Sequence, residues 1–112
     1  MAYITNSELA KYTNIVPDDE DNITDFINQA DEELGFSLGR TVANTEEIYN
    51  IVQRAEAYLT AYYVHFKRGE YELSKEMKSE YTRLLKIIMR NIDGASEGEI
   101  DLEPQFTSVE IE

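Results

Sequence analysis

The chain has no cysteine, which excludes disulfides and thiolate metal sites and suits a reducing interior. It has one histidine, His65, and two prolines, Pro17 and Pro104. No apolar run approaches the ~20 residues that span a bilayer. The start, Met1-Ala2-Tyr3-Ile4-Thr5-Asn6, lacks the basic and apolar stretches of a signal peptide. A soluble, unexported chain is the expectation. The five glycines are scattered, and none belongs to a phosphate-cradling loop of recognised spacing. Bases are scarce as well: 10 against 23 acids, for a net charge of −13 over 112 residues.

That imbalance is local. Asp18, Asp19, Glu20, Asp21, Asp25, Asp31, Glu32 and Glu33 fall in one stretch without a base, and residues 95–112 are acidic without a base too. Residues 54–90 lean the other way, with Arg54, Lys67, Arg68, Lys75, Lys78, Arg83, Lys86 and Arg90 outnumbering their acids. Such a chain repels nucleic acid overall. It is suited to pairing its two halves, or copies of itself, by opposite charge. The same acids also keep a small protein soluble.

Periodicity predicts an all-α fold, a small bundle of about four helices, two of them long, with an extended C-terminal tail. Thr5-Asn6-Ser7-Glu8 has the form of a capping box, and a short helix over 6–13 follows, with Leu9 and Tyr12 inward. Pro17 ends that stretch. Asp18 or Asp19 is the expected cap of a second helix, whose stripe is Ile23, Phe26, Ile27, Ala30 and Leu34. Gly35 is expected to break it, leaving Phe36-Ser37-Leu38-Gly39 as an apolar corner and 39–44 as a loop. Thr45 then caps a long helix running to Arg68. Ile48, Ile51, Val52, Ala55, Tyr58, Leu59, Tyr62, Tyr63 and Phe66 lie on its broad apolar face. After a turn at Gly69, a fourth helix spans roughly 70–92 on a stripe of Leu73, Met77, Tyr81, Leu84, Leu85, Ile88 and Ile92, with Gly94 suited to its C-cap. Ile87 and Met89 fall outside that stripe, which makes them candidate subunit contacts unless the small domain wraps around that end of the helix.

Residues 1–94 thus form one helical domain and 95–112 an acidic arm. Pro104 forbids a helix through the arm. Ile100, Leu102, Phe106, Val109 and Ile111 are spaced apolar residues in an acidic background, the pattern of a segment that orders by laying side chains on a partner, with a plain flexible terminus as the alternative.

No chemistry emerges. His65, among Tyr62, Tyr63 and Phe66, reads as a packed or half-exposed helix histidine, and a single histidine without a nucleophile signature makes no triad. Asp19, Asp21 and Asp25 have the composition of a calcium loop, but the sixth and twelfth positions counted from Asp19 are Thr24 and Ala30 instead of glycine and glutamate. Glu32 and Glu33 are adjacent on a helix and point apart. The expectation is a non-enzyme with no catalytic residue, no metal and no cofactor. The acidic second helix cannot serve as a recognition helix for DNA. Eight tyrosines are many for this length, and four of them sit on predicted core stripes.

The order of features resembles the head–tail connector (adaptor) proteins of tailed bacteriophages and related viruses. It is carried by Ile4-Thr5 leading into a short helix with Leu9 and Tyr12, then by the turn Pro17-Asp18-Asp19-Glu20-Asp21. The stripe Ile23, Phe26, Ile27 and Ala30, the corner Leu38-Gly39-Arg40 and the tyrosine-bearing third helix follow. The similarity covers residues 3–68. It departs in lacking an arginine close after Tyr62 and Tyr63, since Arg68 comes five residues on. The resemblance implies a structural virion protein, made in the host cytoplasm and placed in the neck at the capsid vertex. Its partners would be the portal protein, the next neck or tail-completion component, and copies of itself in a ring, a dodecamer when assembled. DNA would pass through the channel without specific binding, and the arm would reach onto the portal. The alternative from another class is a small acidic helical regulator, or DNA mimic, that occludes a basic protein.

Overall fold

The structure, a computed structural model, describes residues 2–16 and 22–93. Four helices follow in order, α1 (Asn6–Thr13), α2 (Ile23–Leu38), α3 (Tyr49–Lys67) and α4 (Tyr71–Asp93), with no strand among the described residues. The all-α bundle expected from periodicity is therefore the fold. The acidic arm, the turn at 17–21 and Gly94 lie outside the described residues.

Helix α1 begins as its capping box requires. Thr5 Oγ1 accepts the Glu8 N–H at 3.3 Å, and the Glu8 carboxylate accepts the Thr5 N–H at 2.9 Å. Asn14, left-handed at φ 62°, closes it with its N–H on the Ala10 carbonyl.

Two boundaries of α2 differ from expectation. Its N-cap is Asn22, left-handed and without a side-chain cap bond, so neither Asp18 nor Asp19 occupies that position. Gly35 does not break the helix. An interior glycine costs only ~1 kcal/mol relative to alanine, whereas Leu34 and Leu38, one turn apart, are both buried and hold the helix through it. The stop comes at Gly39, φ 72°, whose N–H bonds the Gly35 carbonyl. Phe36, two positions from each of those leucines, consequently faces outward and is 91% exposed.

The start of α3 is also later than expected. Thr45 does not cap it, because Glu46 is engaged in the loop. Its carboxylate accepts both Arg40 guanidinium nitrogens, at 3.2 and 2.5 Å, and the Ala43 N–H at 2.8 Å. These bonds bend residues 43–48, and helical bonding begins with Val52 N–H on the Ile48 carbonyl.

Helix α3 is the hub. It packs on α1, α2 and α4, while those three touch one another only slightly. It is accordingly buried on several sides, including Ala55, Ala57, Leu59, Ala61 and Val64. Two core clusters share it. One joins Ala30, Leu34 and Leu38 of α2 to Val52, Leu59, Leu84 and Ile88. The other joins Ile4, Leu9, Ile15, Ile23 and Ile27 to Ala57, Ala61 and Val64.

On α4, Tyr81, Leu84 and Ile88 bury as their spacing predicts. Ile87 does not behave as a surface residue. It is 2% exposed and sits in the cluster that also contains Val42 and Ile48, so cover from the 39–48 loop region supplements α3. Phe66 and Leu73, placed on inward stripes, are instead exposed on either side of the α3–α4 turn.

Candidate interaction surface

Of the residues singled out from sequence, Ile100, Leu102, Phe106, Val109 and Ile111 lie outside the described residues. Ile87 is enclosed in the core and is unavailable as a subunit contact. Met89 is half-buried, packed against the same cluster. His65 is 8% exposed, with Nδ1 2.7 Å from the Glu70 carboxylate and its carbonyl accepting the Glu70 N–H, so it ties α3 to the turn before α4.

The structure instead assembles a surface from aromatic residues. Phe26 of α2 stacks on Tyr63 of α3 with ring centroids 6.0 Å apart. From there the rings continue through Tyr62 (5.2 Å), Phe66 (6.1 Å) and Tyr71 (5.1 Å), crossing from α3 onto α4. The inner end is fixed by the Tyr63 hydroxyl, which donates to the Glu33 carboxylate, and burial with that carboxylate pushes the phenol well above its ordinary 10. The outer end is open, with Phe66 at 55% and Tyr71 at 58% exposure. Aromatic rings so exposed are the groups a partner buries.

A search against protein-family models, curated proteins and solved structures matches nothing.

The charge around those rings is ordered by helix geometry. Positions 71, 75, 78, 82, 85 and 89 repeat at alternating spacings of four and three, and therefore share one flank of α4. They carry Tyr71, Lys75, Lys78, Thr82, Leu85 and Met89, with no acid among them. Lys78 marks where this flank meets α3, its ammonium standing 4.6 Å over the Tyr62 ring. Glu72, Glu76 and Glu80 lie on another side of the helix, and Glu80 is bound to Arg83 at 2.6 Å. Exposed acids of α2, Asp25 and Glu32, occur on a different helix packed on α3.

One further group escaped the sequence reading. Glu56, in the middle of α3, is fully buried and accepts the backbone N–H groups of Tyr3 at 2.8 Å and Ile4 at 3.3 Å. Burial and the neighbouring Asp31 carboxyl push its own carboxyl up to about 9. Gln53, one turn earlier, donates to the Tyr3 carbonyl and to Glu8, so α3 holds the N-terminal segment by both its amides and a carbonyl. The signal in the sequence was the run Ala55, Ala57, Leu59, Ala61 on either side, which leaves α3 no polar face there. Among the described residues no cluster of three potential metal ligands occurs, and no helix is long and apolar enough to cross a membrane.

Proposed function

We propose that this chain is a structural subunit of a viral neck, a head–tail connector whose copies form a ring beneath a portal. The observation that carries the reading is the separation of charge onto two helices, an acidic α2 and the basic flank of α4. Both pack on α3 and scarcely touch each other. Unlike charges carried on two helices of one subunit suit a heterologous contact, which closes into a ring when the rotation permits. The order of elements supports the same reading: a short capped helix, a second helix with Asp25 in its first turn, and a long third helix bearing Tyr58, Tyr62 and Tyr63. Assembly would proceed by complementary surfaces without a reaction step, and the arm at 95–112 would contribute to contact with the portal.

Electron microscopy of the protein mixed with its cognate portal tests this directly. A ring of added density beneath the portal is the expected result. A protein that stays free of the portal and competes with DNA for a basic enzyme would overturn it in favour of the acidic-regulator reading.

A further inference from the structure

We infer that the aromatic and basic flank of α4 is the docking surface for residues 101–112 of the same chain, folded back along the helix. The inference stands apart from the connector reading and rests on chemistry and reach.

The surface offers exposed rings, Phe66 and Tyr71, followed by Lys75, Lys78 and, nearer the end of α4, Met89. Its occupant must therefore be apolar at intervals and acidic between. Residues 101–112, Asp-Leu-Glu-Pro-Gln-Phe-Thr-Ser-Val-Glu-Ile-Glu, have that composition: Leu102, Phe106, Val109 and Ile111 alternate with Asp101, Glu103, Glu110 and Glu112, without a base. Pro104 keeps this stretch from extending α4 as helix.

Reach places the right residues at the right end. The described part of α4 ends at Asp93, at the far end of the helix from Tyr71, and the next residue, Gly94, suits a helix C-cap. At ~1.5 Å per residue the two ends are about 33 Å apart. An extended chain at ~3.3 Å per residue returns over that distance in about ten residues. Phe106 is thirteen residues beyond Asp93, so a few remain for the reversal, and Phe106, Val109 and Ile111 arrive at Phe66 and Tyr71. Tethering keeps the local concentration of the segment high, which favours its own surface over that of a neighbour. A segment so placed would occupy the same lysines that the acidic α2 of another copy would use, and would hold free subunits apart.

The absence of cysteine permits a clean test on the full chain. Ser108→Cys carries one nitroxide, and isotope-enriched labelled chain is diluted into unenriched, unlabelled chain so that only effects within one molecule are read. Amide signals of residues 66–78 are expected to lose at least about half their intensity, while those of α1 keep theirs. Adding Phe106→Ser, or Lys75→Glu with Lys78→Glu, restores the signals; Phe106→Ser leaves the contact of Lys78 with Tyr62 in place, so it separates loss of docking from loss of that contact. Unaffected signals at 66–78 would overturn the inference. So would broadening seen only when enriched unlabelled chain is mixed with labelled unenriched chain, which would assign the surface to a second copy.

Discussion

Glu56 of α3 accepts the backbone N–H of Tyr3 at 2.8 Å, across fifty-three positions of sequence. The extended segment before α1 has no helix or sheet to take its amides, and a buried amide left unpaired costs ~1–3 kcal/mol. One carboxylate oxygen serves both Tyr3 and Ile4. The other, Oε1, is buried as well, and the Asp31 carboxyl is near enough to interact with this side chain. Burial and the neighbouring Asp31 carboxyl together raise the Glu56 carboxyl, so Glu56 holds its proton more readily than an exposed glutamate does.

Stability should therefore depend on pH through Glu56. Unfolded, this residue releases its proton near its ordinary 4.5; folded, it holds the proton to about 9. Between those values the folded state binds more protons, so the contribution of Glu56 is complete below pH 4.5 and is lost as pH rises toward 9. Relative to Glu56→Gln, the native chain should lose at least about 1 kcal/mol from pH 5 to 9, or ~4–8 °C in melting temperature. Parallel pH profiles for the two proteins would show that Glu56 titrates normally.

Replacing Tyr63 tests the inner end of the aromatic series. Tyr63→Phe keeps the stack on Phe26 but removes the bond to Glu33, and should cost about 1 kcal/mol in denaturant unfolding. Because the folded phenol ionises well above 10, the ultraviolet tyrosine titration around pH 10 should keep its amplitude in the variant. A loss of amplitude there would mean that Tyr63 titrates with the exposed tyrosines.

Two glycines on α2 should respond oppositely to alanine. Neither has an atom within 4 Å of an added Cβ, so backbone conformation alone decides. Gly35 is inside the helix, and Gly35→Ala should stabilise by about 0.5–1 kcal/mol. Gly39 sits at φ 72°, and Gly39→Ala should destabilise by about 1–2 kcal/mol. Thermal unfolding of the pair reads the difference in sign.

The loop clamp has a spectroscopic readout. Hydrogen bonds from Arg40 and then from the Ala43 amide hold Glu46 at about 2. In Arg40→Ala, carboxyl shifts followed by nuclear magnetic resonance should show Glu46 titrating nearer its ordinary 4.5, though still below it, since the amide remains. An unchanged titration would remove Arg40 from the account.

What the residues disclosed in advance was periodicity and capping. Thr5 and Glu8 place α1, and the spacing of Ile23, Ile27, Ala30 and Leu34 places the inner face of α2. Periodicity is silent on which stripe finds cover. Phe66 continues the apolar face of α3 yet remains exposed beside the turn, whereas Ile87 leaves the stripe of α4 yet is buried. Capping signals are also ambiguous when a second acceptor competes: Thr45 has the form of a helix cap, yet the carboxylate of Glu46 beside it clamps the loop and α3 starts later. Glu56 carries little signal in the sequence because its partners are backbone amides, which every sequence has. The spaced apolar residues from Ile100 to Ile111 fall outside the described residues, and their role rests on the experiment with Ser108→Cys.

Because α3 belongs to both core clusters, neither can be lost in the same way. The cluster around Leu9 and Ile27 depends on the N-terminal segment, α1 and the first turns of α2, clasped to α3 largely through Glu56 and Gln53. The cluster around Leu59 and Ile88 joins the α3–α4 hairpin to Ala30, Leu34 and Leu38 in the later turns of α2. The α3–α4 hairpin with the later turns of α2 thus wears the N-terminal segment and α1 as a detachable collar. Native-state hydrogen exchange should find α1 opening at a lower free energy than α3 and α4, as a cooperative unit of its own.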